Sequence, residues 1–130
     1  MTRDAILCVD DEAIILLSLK QEIKDHFGDR FQYETAIDAD EALSIIGSLI
    51  EEGIKPVLII TDWLMPRKTG GELVAEAAVL YPEIRGIVVT GHVAQETLEA
   101  ADSGGNIFSF ISKPWKKEEL IGAIEKALAK

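Results

Sequence analysis

Five short apolar runs of strand length punctuate the chain, and between them apolar residues recur every three or four positions. Residues 5–9 (Ala-Ile-Leu-Cys-Val) form the first run, which ends in Asp10-Asp11-Glu12. Ile15, Leu19 and Ile23 then share one face of a helix predicted over 13–27, with Gly28 placed to stop it. Residues 31–36 alternate at period two, the pattern of a half-exposed strand. Asp38, with Glu41 three residues later, predicts a capping box at the head of a second helix. That helix carries Ala42, Leu43, Ile46, Leu49 and Ile50 and stops before Gly53. Residues 57–62 (Val-Leu-Ile-Ile-Thr-Asp) run without polar alternation on to one carboxylate, so this strand should be buried on both faces. Pro66 prevents it from carrying on.

Residues 66–71 then read as a loop, and 72–80 as a helix ended by Pro82. A fourth strand is expected over 84–90, a helix over about 93–102, and a turn at Gly104-Gly105. The fifth strand covers 107–112 and is interrupted by Lys113-Pro114. The last helix, about 116–129, places Leu120, Ile121, Ile124 and Leu128 on one side. Five strand–helix pairs in 130 residues predict one α/β domain: a doubly wound parallel sheet of the flavodoxin-like (βα)5 type, strand order 2-1-3-4-5. The domain is expected to fill residues 1–130, with no output domain after the last helix. The stretch 51–55 runs slightly long and should extend the second helix or its loop.

Charge and composition narrow the function classes. A formal charge of −10 argues against direct nucleic-acid binding, and there is no polybasic membrane patch. No apolar run approaches the ~20 residues needed to cross a bilayer, and the N-terminus lacks a signal-peptide core. A cytoplasmic protein is expected, with Cys8 a buried, reduced thiol. His26 and His92 have no metal-site spacing.

In sheets of this kind ligands bind beyond the carboxyl ends of the strands, near the point where strand order reverses. Strand 1 ends on Asp10 and Asp11, strand 3 on Asp62, strand 4 on Thr90, and strand 5 runs out at Lys113. With strands 1 and 3 adjacent, three carboxylates crowd one sheet edge, so protonation or a cation must relieve them. Hard oxygen ligands beside a phosphate point to Mg²⁺. A lysine ammonium can hold one phosphate oxygen and a threonine hydroxyl another. Together these groups form a minimal set for phosphoryl transfer, with Asp62 able to serve as the nucleophile and become an aspartyl phosphate.

The set Asp10-Asp11, Asp62 followed by Met65-Pro66 and Gly70, Thr90-Gly91, and Phe110-Ile111-Ser112-Lys113-Pro114 strongly resembles the receiver (CheY-like) domain of two-component response regulators. The resemblance covers essentially the whole chain. It implies that Asp62 accepts a phosphoryl group from a sensor histidine kinase or histidine phosphotransfer protein. It further implies that Asp11, Asp62 and the backbone carbonyl of Leu64 bind Mg²⁺ directly, with Asp10 acting through water. Lys113 would pair with the phosphoryl group and Thr90 would hydrogen-bond to it. Gly91 would leave the group accessible, and Pro114 would follow a cis peptide bond that sets how Lys113 points. Phe110 matches the switch aromatic of an inactive/active equilibrium read by a partner or a fused output domain. The domain would be a monomer or a phosphorylation-dependent dimer, without turnover chemistry beyond its own phosphotransfer and dephosphorylation.

Taken singly, Asp10-Asp11 would read as a strand-end turn or helix cap, Thr90 as a strand threonine and Phe110 as core. Trp115 reads as a packing residue of the last helix. Ile14, Leu16 and Leu17 make the first helix apolar nearly all round, which fits either a docking face or tight internal packing. An aspartate-nucleophile phosphatase of the haloacid-dehalogenase kind needs a second acid two residues after the nucleophile, where this chain has Leu64. A flavin or nucleotide binder would need a phosphate-cradling loop that the sequence lacks. In the receiver family the surface of the helix at 93–102, the fifth strand and the last helix commonly carries the signal. Lys116, Lys117, Lys126 and Lys130 lie on or beside it.

Overall fold

The structure, a computed structural model, describes residues 3–91 and 106–129. In chain order it contains β1 (Arg3–Val9), α1 (Ala13–Phe27), a 3-10 turn (Gly28–Arg30), β2 (Gln32–Ala36), α2 (Ala39–Glu51), β3 (Ile54–Thr61), α3 (Gly70–Leu80), β4 (Arg85–Thr90), β5 (Ile107–Ser112) and α4 (Lys117–Leu128). All four strand pairings are parallel, in the order β2-β1-β3-β4-β5. The helix expected over 93–102, the Gly104-Gly105 turn and His92 lie outside the described residues.

The unbroken apolar runs are explained by the two faces of this sheet. Successive side chains of a strand point to opposite sides. Ile6 and Cys8 of β1 and Leu58 and Ile60 of β3 therefore enter one core, with Leu16, Leu19 and Ile23 of α1 and Leu120 and Ile124 of α4. Leu7, Val9 and Ile59 enter the other, with Ala42 and Ile46 of α2 and Leu73, Val74 and Ala77 of α3. Burial on both sides leaves no position for a polar residue until the strand surfaces. The edge strand β2 shows the opposite case: Gln32 to Glu34 and Thr35 are all half-buried, and only Ala36 is buried.

Three local expectations are corrected. The stretch 51–55 does not simply lengthen the second helix, because β3 already begins at Ile54. Ala5 pairs with Pro56 but Ile6 pairs with Leu58, so Val57 is an extra residue on β3. Such a bulge accommodates Pro56, which has no N–H to give to a ladder. The Asp38 cap is only half of a capping box: Asp38 Oδ1 accepts from Glu41 N at 2.8 Å, but Glu41 Oε1 accepts from Ile37 N rather than from Asp38 N. The complete box stands at α3, where Thr69 and Glu72 each accept from the other's main-chain N–H. Trp115 precedes α4 instead of lying on it.

Cys8 is fully buried, and loss of hydration of its thiolate pushes the thiol up to about 12. The native protein is therefore expected to leave Cys8 unmodified by a thiol reagent at neutral pH, with full reaction in denaturant. Rapid native labelling would contradict this packing.

Candidate functional site

β1 is held between two neighbours as it ends. Asp10 N donates to Ala36 O at 3.2 Å, and Asp62 N donates to Val9 O at 3.1 Å, so the two acids leave the sheet side by side. Asp10 and Asp62 are buried and Asp11 is exposed. Each of the three offers a carboxylate oxygen within 4.8 Å of the others. Asp10 is oriented from the helix that follows it, because its Oδ1 accepts from Glu12 N at 2.9 Å.

Lys113 enters from the far side of the sheet. Its main-chain N–H donates to Thr90 O at 3.1 Å, continuing the β4–β5 ladder one step past Ser112. From there Nζ donates to Asp10 Oδ2 at 2.8 Å and to Asp62 Oδ2 at 3.2 Å. Burial works against the ammonium, but the bond to Asp10 and the charges of Asp62 and Asp10 outweigh it, so the pKa is raised. Lys113 is thus charged at neutral pH. One ammonium against three carboxylates still leaves excess negative charge, and three hard oxygen donors with one exposed member suit a small divalent cation.

Thr90 is buried at the end of β4, and its Oγ1 has no hydrogen-bond partner among the described residues. A buried hydroxyl left without a partner costs about 1–3 kcal/mol, so its retention beside Lys113 is a functional signal. Gly91 follows; a Cβ there would lie 3.6 Å from Lys113 Cβ, an ordinary contact. The Lys113–Pro114 bond is cis. Leu64 lies exposed in the loop after Asp62. Phe110 is half-buried in β5, paired with Val88 in β4. The sequence-selected residues Asp10, Asp11, Asp62 and Lys113 therefore converge directly, Thr90 joins them through Lys113, and Phe110 stands one strand position behind Thr90's neighbours.

Sequence reasoning named Gly70 only as part of the family resemblance and overlooked Thr61, Arg67 and Thr69, which also shape the loop from Asp62 to α3. Thr61 Oγ1 donates to Asp62 O at 2.9 Å, and Gly70 N donates to Trp63 O at 2.9 Å. A Cβ on Gly70 would lie 2.3 Å from Asp62 O. Arg67 has a left-handed backbone, φ 71°, and its guanidinium reaches Asp38 and Asp40 at 3.5 and 3.6 Å. The Thr69-x-x-Glu72 spacing was a legible signal for the start of α3; the closeness of Gly70 to Asp62 had none.

A cleft of ≈ 530 Å³ opens on Asp62 between α1 and the segment after β5, with Glu12, Ile15, Lys113 and Trp115 in its walls. A larger cavity, ≈ 620 Å³, lies among Asp4, Tyr81, Arg85 and Asn106 at the amino ends of the strands, away from these groups. The cleft at the carboxyl ends is the one with chemistry in it.

The family model of the response regulator receiver domain matches residues 6–125. The chain belongs to the response regulator receiver family. Among curated relatives, the hydrogenase transcriptional regulatory protein HoxA of Cupriavidus necator is 30% identical over 95% of this chain, which covers 24% of HoxA. The transcriptional regulatory protein PdtaR of Mycobacterium tuberculosis is 28% identical over 96% of this chain, which covers 57% of PdtaR. A response regulator receiver domain protein from Clostridium thermocellum superposes with a TM-score of 0.81 at 27% identity, covering 96% of this chain and 94% of that one. The receiver thus spans between about a quarter and somewhat over half of these curated relatives. Receiver domains are signalling modules controlled by phosphorylation. No helix among the described residues is long and apolar enough to cross a membrane.

Replacing Gly70 with alanine forces a Cβ against the Asp62 carbonyl and should destabilise the fold by about 1–3 kcal/mol. Urea unfolding monitored by Trp63, whose ring packs against Gly71, measures this. A neutral Gly70→Ala would show that the loop has room to move.

Proposed function

We propose that Asp62 is the phosphoacceptor of a two-component system. One of its carboxylate oxygens attacks the phosphorus of a phosphohistidine on a sensor kinase or histidine phosphotransfer protein. The P–N bond breaks, its electron pair returns to the imidazole, and an aspartyl phosphate remains. Mg²⁺ bound by Asp11, Asp62 and the Leu64 carbonyl, with Asp10 in support, would neutralise charge on the phosphoryl oxygens. The observation that carries this reading is the Lys113 ammonium shared between Asp10 and Asp62, beside a buried Thr90 hydroxyl that has no partner among the described residues.

On phosphorylation Lys113 exchanges a carboxylate partner for a phosphoryl oxygen. Thr90 gains the partner that it lacks and is drawn toward the site. Phe110 follows inward, and Gly91 keeps the phosphoryl group open to solvent or a partner. The differential contact of Thr90 with the two states is what shifts the equilibrium. Gain of one hydrogen bond to a charged group, about 1.5–3 kcal/mol, shifts a two-state ratio roughly ten- to a hundredfold.

Residues 1–130 act as one receiver domain in the cytoplasm, and its output is read by a downstream protein or an attached output domain. Ile14 and Leu17, 84% and 67% exposed on α1, are the apolar contact for the phosphodonor. Internal packing covers Leu16 but leaves these two in solvent. The domain promotes its own phosphorylation and dephosphorylation without turning over other substrates, since Leu64 stands where a phosphatase of the aspartate-nucleophile kind has its acid.

Incubation with phosphoramidate or acetyl phosphate and Mg²⁺ should add one phosphoryl group, seen by intact-mass spectrometry, and Asp62→Asn should abolish it. Unchanged labelling of that variant would defeat the assignment, and steady hydrolysis of p-nitrophenyl phosphate would favour a phosphatase. Mg²⁺ at a hundred times its Kd should stabilise the fold by about 2.7 kcal/mol in thermal unfolding. Asp11→Ala should weaken this response at the same Mg²⁺ concentration; an identical response would remove Asp11 from the metal site.

A further inference from the structure

Lys113 to Lys116, between β5 and α4, belong to no helix or strand. Besides the bonds of the Lys113 ammonium to Asp10 and Asp62, this segment has two anchors ahead of α4 among the described residues. The first is the main-chain bond from Lys113 N to Thr90 O. The second is a side-chain bond across the molecule: Trp115 Nε1 donates to Glu22 Oε2 at 2.8 Å, joining α1 to a residue 93 positions later. Pro114 between them has no N–H with which to add a third. The Trp115 ring packs against the core cluster beneath α1 and α4. Glu22 adjoins Ile23, which is fully buried, so the carboxylate projects from a fixed point on the helix.

We propose that the Trp115–Glu22 pair positions Lys113. The main-chain N–H of Glu12, the N-cap of α1, holds Asp10 Oδ1 at 2.9 Å, and Glu22, farther along that helix, holds the loop that carries Lys113. The ammonium and one of the carboxylates that it bridges are thereby referenced to a single rigid element. A lysine side chain has a long flexible stem, so its reach is only as accurate as the placement of its backbone. Trp115 and Glu22 also line the cleft that opens on Asp62, so the same bond fixes part of its wall. This inference rests on the proposed roles of Asp62 and Lys113 in phosphoryl transfer.

Four variants test it: Trp115→Phe, Glu22→Ala, Glu22→Gln and the double Trp115→Phe/Glu22→Ala. Each is assayed for phosphorylation by phosphoramidate at saturating Mg²⁺, for Mg²⁺ affinity, and for its melting temperature. Trp115→Phe and Glu22→Ala should each slow the maximal phosphorylation rate about three- to tenfold, because only part of the loss of one hydrogen bond to a charged group is transmitted to Lys113. Mg²⁺ affinity should be unchanged, because neither residue is a metal ligand. Glu22→Gln should restore the parental rate through its amide oxygen, and the double variant should be no slower than either single. Parental rates in every variant, additive losses, or a Glu22→Gln as slow as Glu22→Ala would each overturn the proposal. Should Trp115→Phe melt early, Glu22→Ala, a change at a half-exposed position, decides alone. The Lys113 side-chain NMR signals read the tether without any phosphoryl transfer: they should shift in Glu22→Ala and not in Glu22→Gln. An unlabelled parent protein whose Lys113 signals respond in this way would count against the Asp62 reading and leave the tether standing; signals that do not move would count against the tether itself.

Discussion

Two carboxylates on adjoining strand ends, both largely shielded from water, repel each other strongly enough that the surrounding structure must answer them. Asp10 and Asp62 are brought together because β1 and β3 are neighbours, and neither can retreat without breaking the sheet bonds at Ala36 and Val9. The Lys113 ammonium, set between their Oδ2 atoms, is the answer that this chain carries within itself. A buried like-charged pair without a counter-ion would be taken up by protonation of one acid, which would remove the nucleophile. The lysine therefore preserves the charge that the proposed chemistry needs, and it leaves room for a divalent cation to complete the neutralisation.

What surrounds this charge cluster divides into parts that cannot move and parts that can. The strands are fixed by apolar side chains on both faces, and α1 by Leu16, Leu19, Ile23 and Phe27. The loop from Asp62 to α3 is fixed differently, by Gly70 lying close against the Asp62 carbonyl and by the capping box of Thr69 and Glu72. Thr90 is the exception. It is buried, polar and without a partner among the described residues, so on the proposed reading it gains a bond when Asp62 is phosphorylated. On the proposed reading, a rigid acceptor beside a hydroxyl that gains a contact in one state only is an arrangement that shifts a two-state equilibrium.

Much of this was legible in the chain. The boundaries of α1 and β5 agree with those read from the sequence, Ala13–Phe27 from helical spacing and Ile107–Ser112 from a strand-length segment stopped by Lys113-Pro114. The acids and the lysine were legible because a charged residue at the end of a buried run has no packing role to explain it. β3 was harder: Pro56 spoke against a strand, and only the bulge at Val57, a relation between two strands, admits it. The Asp38 box failed for a similar reason, since Glu41 found the Ile37 N–H instead of the one that the local motif specifies.

Periodicity by itself determined the order of elements, the parallel sheet and the identity of the residues at its carboxyl edge, since burial on two faces leaves a direct imprint on which positions are apolar. Tertiary structure decided which of those residues touch. It set Lys113 across two carboxylates at the ends of β1 and β3, pressed Gly70 against Asp62, and bound Trp115 to Glu22. These contacts join positions far apart in the chain, and each depends on ångström-scale placement by packed elements rather than on any local preference of the residues that make it.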